Sequence, residues 1–191
     1  MHRLPALLAV LVLAASCSSH QVDLTIQAPA TFATEPGGSE EARITRVVDG
    51  DTIEVEIISR TLGPGAGEAQ IGPIYDVRLI GIDTPESVDP NSPIECFGKE
   101  ASAAARALLD GQTVRLVVDV EEADRYDRLL RYVYIGEEMA NARLVANGYA
   151  FAYTYPPSVR HSELFVQLER DARENDRGLW APEACDARSG N

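Results

Sequence analysis

With 191 residues, 45% of them hydrophobic, the chain is long enough for one packed domain plus an extension. Its formal net charge of -13 and its single lysine, Lys99, argue for solubility. They exclude a broad basic surface of the kind that grips nucleic acid non-specifically.

Residues 1–16 read as an export signal. His2 and Arg3 precede an apolar run, Leu4 to Ala15, that is too short to span a bilayer. Ala14-Ala15-Ser16-Cys17 then resembles the cleavage box of bacterial lipoproteins, with Cys17 as the lipidated residue, although the favoured leucine sits one place early at Leu13. An ordinary signal peptide cut nearby is the alternative. Either way the protein is expected to be exported, as a cell-envelope lipoprotein or a secreted protein. Residues 17–42, rich in Ser, Thr, Pro, Gly and Glu, are expected to be a flexible tether, because they bury too little apolar surface to offset ordering entropy.

The folded domain is expected over 43–182, with a tail at 183–191. Ile44 to Val48 reads as a strand, Asp49-Gly50-Asp51-Thr52 as a tight turn, and Ile53 to Ile58 as the return strand. Arg60 to Pro73, rich in Gly and Pro, reads as an exposed hairpin tip. Val77, Leu79, Ile80 and Ile82 mark a third, buried strand that stops at Asp83-Thr84-Pro85, since proline removes an amide donor and fixes φ. A helix follows, with Ala101, Ala104, Ala105, Leu108 and Leu109 on one face and Asp110-Gly111 at its end. Thr113–Val118 and Leu129–Ile135 are the fourth and fifth strands, separated by the polar turn Asp124 to Arg128. Two more helices fit around Met139–Val145 and His161–Asn175, and Gly178 and Trp180 pack the end. This order predicts an α+β, mainly β protein: a five-stranded Greek-key OB-fold barrel with three packed helices.

The charged residues fall at strand ends. Asp49, Asp51, Asp83 and Glu86 are carboxylates that would repel one another unless a hard cation such as calcium or magnesium sits among them. Arg78 and Arg128 offer fixed forks of donors suited to phosphate oxygens. A free carboxylate can activate water. Arginine, acid and metal together form a phosphoryl-transfer set.

Five segments now carry a resemblance. Val48-Asp49-Gly50-Asp51-Thr52, Arg78 to Glu86, Phe97-Gly98-Lys99-Glu100-Ala101-Ser102, Asp124-Arg125-Tyr126-Asp127-Arg128 and Gly178-Leu179-Trp180 resemble, in order and approximate spacing, the staphylococcal nuclease (thermonuclease) family. The resemblance implies a Ca2+-dependent nuclease acting as a monomer on DNA and/or RNA with little sequence preference. It implies that Asp51 and Asp83 ligate Ca2+ by carboxylate and Thr84 by its carbonyl, with Asp49 beside them. It implies that Glu86 acts on the attacking water, and that Arg78 and Arg128 clamp the scissile phosphate. Tyr126, Tyr153 and Tyr155 match tyrosines lining the nucleotide pocket, and Arg125 matches a basic residue that steers phosphate.

Blander readings stand beside these. Asp49 and Asp51 could be turn formers, Arg78 a structural partner of Asp83, and Tyr153 and Tyr155 packing residues. His161 reads as a helix N-terminal or surface residue, and Glu121 and Glu122 as a solvated face. A catalytically silent OB-type binding module is the alternative function. The chain also departs from better-known family members, which are basic: it is acidic, its 87–93 loop lacks lysines, and Asp127 stands where glycine is common. With Cys17 set aside, Cys96 and Cys185 form an even pair in an exported chain. A bond between them would add roughly 4–5 kcal/mol in the chain-entropy model; two free thiols are the alternative.

Overall fold

In the computed structural model, which describes residues 22–87 and 95–185, the elements in chain order are β1 (Ser39–Val47), β2 (Thr52–Thr61), β3 (Ile74–Leu79), β4 (Ile82–Asp83), α1 (Gly98–Leu109), β5 (Thr113–Val117), β6 (Leu129–Ile135), β7 (Glu138–Met139), α2 (Ala140–Ala146), β8 (Phe151–Ala152) and α3 (Ser162–Glu174). β1, β2 and β3 form an antiparallel meander, and β5 pairs with the other side of β1. β6 pairs antiparallel with β5 and parallel with β3, Val77 beside Leu129, and so closes the sheet into a five-stranded barrel. The fold is the OB-type barrel with three helices that the strand order predicts.

Alternation drives the closure. Ala42 and Ile44 of β1, Ile53, Val55 and Ile57 of β2, Val77 and Leu79 of β3, and Leu116 of β5 all point into one core, while Arg43, Arg46, Glu54 and Glu56 stay outside as ion pairs. The predicted alanine and leucine face of α1 is buried. Each fully buried large aliphatic side chain contributes about 1.5–3 kcal/mol.

Several boundaries differ from the sequence expectation. The third strand does not run through to Ile82. It ends at Leu79, Gly81 takes a φ of 80°, and Ile82–Asp83 pairs with Phe151–Ala152 instead. Only glycine fits there: a Cβ on Gly81 would lie 2.2 Å from Cε2 of Phe165. The loop expected as an exposed hairpin tip begins at Leu62 and folds back on the barrel, burying Gly65, Gly67 and Ala69.

The domain also begins earlier than expected, so the described part of the 17–42 segment is a packed element, not a free tether. β1 starts at Ser39, and Glu40 points inward beside Ala42. Its carboxylate, fully buried, pairs with the equally buried Arg131, Nε to Oε2 at 2.8 Å, and with Arg60 at 3.0 Å. Arg131 also donates to the carboxylate and the carbonyl of Glu122. Glu122 is therefore a partner of the core, not a solvated face. Gly67 must be glycine because a Cβ would lie 2.0 Å from Nη2 of Arg131.

Further upstream, Asn147 bonds both the amide and the carbonyl of Ile26, and Tyr149 Oη accepts from the amide of Asp23. Glu35 accepts from Tyr134, His161 and Arg160. Burial pushes its carboxyl up, but His161, Tyr134 and Arg160 together hold it below the usual carboxylate value. Composition could not reveal this packing, because the partners lie 99 to 126 residues downstream.

A disulfide joins Cys96, ahead of α1, to Cys185, with Cα atoms 5.7 Å apart. Cys17, the export signal and part of the loop after Ser87 lie outside the described residues. The hairpin between β5 and β6 turns at Asp124–Asp127, where Asp127 donates its amide to the Asp124 carbonyl at 3.0 Å and adopts a φ of 62°. A turn followed by one left-handed residue is the three-residue hairpin that favours glycine at that place.

Two stability predictions follow from these contacts. Glu40→Ala removes the buried carboxylate that Arg131 Nε and Arg60 share and is expected to lower unfolding free energy by about 3–5 kcal/mol; a change below about 1 kcal/mol in urea titration would show that residues 39–42 are not part of the cooperative unit. Asp127→Gly keeps the left-handed conformation and removes its cost to an L-residue, roughly 1–2 kcal/mol, less glycine's own entropy, so a gain of about 0.5–1 kcal/mol is expected in the same titration.

Candidate active site

One end of the barrel gathers the predicted residues because the ends of β2, β3, β4 and β6 meet there. The turn between β1 and β2 is closed by amides of Val48 and Asp49 donating to the Thr52 carbonyl, which sets Asp51 at the mouth of β2. Thr52 lies opposite Arg78 on β3. Arg78 in turn lies beside Leu130 on β6, two residues past Arg128. Asp83 ends β4 just beyond the Gly81 bend.

Arg78 bridges two carboxylates, with Nη1 against Asp51 and Nη2 against Asp83 Oδ1 at 2.7 Å. Asp51 has two further partners: Thr84, from 33 residues downstream, donates its amide at 2.9 Å and its hydroxyl at 3.0 Å to Oδ2, and the adjacent Thr52 donates its hydroxyl to Oδ1 at 3.1 Å. Gly50 must lack a side chain, since a Cβ would lie 2.6 Å from the Thr84 hydroxyl. Burial draws the Arg78 guanidinium below its ordinary value; Asp83 opposes this and the nearby positive charge of Arg128 adds to it.

Asp49 is buried and turned toward Ser87, whose hydroxyl donates at 2.5 Å. Glu86 follows the proline turn. Its amide donates to Glu95 Oε2 at 3.0 Å, and its carbonyl accepts from the Glu95 amide at 2.9 Å. Gly98, at the start of α1, presses on the same carbonyl: a Cβ there would lie 2.4 Å from it. The backbone of Glu86 is thus fixed from both sides.

Arg128 is held by Asp124, Nε to Oδ2 at 2.8 Å and Nη2 to Oδ2 at 2.7 Å, and its Nη1 lies 3.5 Å from the Thr52 hydroxyl. Burial pushes the Asp124 carboxyl up, but hydrogen bonds from Arg128 and from the amides of Tyr126 and Arg128 outweigh it and leave the group below the usual carboxylate range. Asp124 belongs to the motif read from sequence, yet its role there went unread; an aspartate four residues before an arginine in a turn is the signal that was available.

Arg78 and Arg128 open onto a cleft of about 520 Å³, walled by Tyr126, Tyr153 and Tyr155, with Asp83, Asp124 and Arg125 at its edge. The three tyrosines are 62%, 49% and 63% exposed, which sets them apart from the packed core. Tyr153 and Tyr155 stack at 6.5 Å with 12° between ring planes. Arg125 lies over Tyr126, 4.7 Å from its centroid, and donates to its hydroxyl at 2.6 Å. Glu121 lines the cleft as well, a place that the expectation of a solvated face did not give it. His161 sits at the N-cap of α3 against Glu35.

Asp51 and Asp83 converge on one positive group with Thr84 alongside, an all-oxygen set that fits a hard divalent cation. Among the described residues no three acidic, histidine or cysteine side chains lie close enough to cage a metal by themselves. Among the described residues, Asp49 and Glu86 therefore do not join Asp51 and Asp83 in one cluster. Among the described residues no helix is long and apolar enough to cross a membrane.

Comparison with known proteins agrees with the geometry. Residues 76–182 match the family model described as staphylococcal nuclease homologue. The chain is 38% identical over 139 residues to the thermonuclease of Staphylococcus hyicus, an alignment covering 73% of this chain and 75% of that protein. It is likewise 38% identical over 141 residues to the thermonuclease of Staphylococcus intermedius, covering 74% and 76%. Endonuclease YncB of Bacillus subtilis is 30% identical over 140 residues, covering 72% of this chain and 60% of that protein. A barrel closed at the Arg78 strand, an arginine on each side of the seam and this degree of identity assign the chain to the staphylococcal nuclease homologue family.

Proposed function

We propose that the protein is a Ca2+-dependent nuclease that hydrolyses phosphodiester bonds of DNA and/or RNA with little sequence preference, acting as a monomer. The observation that carries this reading is the convergence of Arg78 and Arg128 on one cleft, with Asp51 and Asp83 beside them and Glu86 fixed at the next turn. In this reading Asp51, Asp83 and the Thr84 carbonyl would hold Ca2+, with Asp49 beside them. When bound, it supplies Lewis-acid stabilisation of the phosphate oxygens.

The chain's own groups do the rest. Glu86 takes a proton from water as the water oxygen bonds to phosphorus. Arg78 and Arg128 donate to the non-bridging oxygens, whose charge grows as the bond to the leaving sugar oxygen breaks. Tyr126, Tyr153 and Tyr155 offer faces and hydroxyls to the nucleotide, and Arg125 a charge to its phosphate.

The measurement is turnover and Michaelis constant on a fluorescent oligonucleotide across a Ca2+ titration, with melting curves in parallel. Ca2+ is expected to raise the melting temperature by mass action. Glu86→Gln is expected to lower turnover on the order of 10² or more with little change in Ca2+ affinity. Arg128→Lys is expected to lower turnover more than it weakens binding, because lysine keeps the charge and loses the fork. Near-wild-type turnover in both variants would overturn the mechanism, and no cleavage by the wild type at any Ca2+ level would leave a silent binding module as the reading.

We also propose that the protein is exported and anchored through a lipidated Cys17; the support is the apolar run at 4–15 and the small residues before the cysteine. Membrane-bound wild type that needs detergent for extraction, with Cys17→Ser released or left unprocessed, is the expected result. Wild type recovered wholly from the medium and lacking Cys17 would reject the anchor.

A further inference from the structure

We propose that Asp124 is a positioning residue for the reaction: it holds the Arg128 guanidinium, through its Nε and Nη2 atoms, in the orientation from which the remaining donors meet the scissile phosphate. The inference rests on the nuclease reading and on the role given there to Arg128.

Both oxygens of the Asp124 carboxylate are engaged, and they do different things. Oδ2 takes Nε and Nη2 of Arg128 at 2.8 and 2.7 Å, a side-on pairing with one edge of the guanidinium. Oδ1 takes the backbone amides of Tyr126 at 2.9 Å and Arg128 at 3.1 Å. The turn is therefore wound around the carboxylate that grips the arginine. The Asp124 amide also donates to the Arg128 carbonyl at 2.9 Å, so the two residues are joined through backbone and side chain alike.

This pairing takes up Nε–H and holds Nη2 as an ion pair against the same oxygen. It leaves the two hydrogens on Nη1 and the second on Nη2, the pair of donors that a phosphate accepts end-on. Nη1 makes only a long 3.5 Å approach to Thr52. Arg128 is 29% exposed at its side chain and Asp124 only 17%, so the supporting group is the more enclosed of the two, while the supported one remains open to the cleft.

Charge gives a second reason. Arg78 and Arg128 are like charges at one barrel mouth, and each would be better solvated turned away from the other. Arg78 is offset by Asp51 and Asp83. Asp124 is the carboxylate that offsets Arg128. Without it, Arg128 keeps its charge but gains rotamers that face solvent, and phosphate contact in the transition state must then be made from a mobile side chain.

The experiment is a double-mutant cycle of Asp124→Asn and Arg128→Lys, with turnover and Michaelis constant for a short oligonucleotide at saturating Ca2+. Asparagine keeps an oxygen for the two turn amides and removes the charge that pairs with Arg128. The expected result is a turnover loss of about tenfold or more in Asp124→Asn, a Michaelis constant within about threefold of wild type, and a further loss of less than about twofold when the same change is made in Arg128→Lys. A merely structural role would multiply fully in the second background, and that outcome, or near-wild-type turnover in Asp124→Asn, overturns the proposal. If Asp124→Asn does not fold, the Arg128 Nε–H resonance of the wild type decides: slow exchange and an unchanged position on adding an unreactive nucleotide are expected, and rapid exchange overturns it. Arg128→Lys alone separates the two readings. Undiminished turnover there removes the role of Arg128 itself, whereas a loss there with none in Asp124→Asn removes only the role of Asp124.

Discussion

Two guanidinium groups held at one end of a small barrel repel each other, and much of the local architecture answers that repulsion. The parallel pairing of β3 with β6 is what brings them together: Val77 lies beside Leu129, so Arg78 and Arg128 flank the closing seam. A seam that joined other strands would separate them. Three carboxylates then offset the two arginines, Asp51 from the mouth of β2, Asp83 from the end of β4, and Asp124 from the β5–β6 turn. Each comes from a different element, so the site exists only when the barrel is closed. The hydroxyl of Thr52, between Asp51 at 3.1 Å and Arg128 at 3.5 Å, links the two halves.

A second charged group works at a distance from the cleft. Arg131 points inward from β6, three residues after Arg128, and is matched by Glu40, Glu122 and the carbonyls of Leu130 and Glu122. A buried pair of this kind is weak evidence for net stability, because desolvation offsets most of the attraction. Its effect is better described as registration. Glu40 fixes where β1 begins, Arg60 carries the end of β2 to the same carboxylate, and the glycine at 67 lets the long loop close over the guanidinium. The start of β1 and the path of the 62–73 loop both answer to one arginine.

This explains what could be read in the sequence and what could not. The strands with clean alternation, the alanine and leucine face of α1 and the turn at Asp49–Thr52 were legible, because period and turn chemistry are local properties. The residues at the cleft were legible because they fall at strand ends in recognisable segments. The extra length of β1 was not legible: Glu40 and Glu41 look like linker residues until Arg131 is known to be buried, and that is set by a partner 91 positions away. The break at Gly81 was missed because Leu79, Ile80 and Ile82 are apolar on both sides of it; the bend is required by the Phe165 ring, which belongs to α3. Glu122 and Glu121 are neighbours with no distinguishing pattern, yet one serves the core and the other faces the cleft.

The acidity of the chain bears on how such a cleft holds a polyanion. Its lining includes three arginines, 78, 125 and 128, and three acids, Asp83, Glu121 and Asp124. The wall is therefore formally neutral, and a net charge of -13 surrounds it. Beyond a Debye length of about 8 Å at physiological salt the surrounding charge is largely screened, so close approach is not forbidden. It is also not favoured, and counterion release from many phosphates, the usual source of non-specific affinity, is not available here. In the proposed nuclease reading, attraction comes from a few short contacts: guanidinium forks already oriented by their carboxylates, and exposed tyrosine faces that offer stacking surface. In the proposed nuclease reading, a divalent cation beside Asp51 and Asp83 changes the balance further, since it turns a neutral wall into a positive one at the place where the phosphate must sit. A chain this acidic, with this cleft, has to bind by positioning.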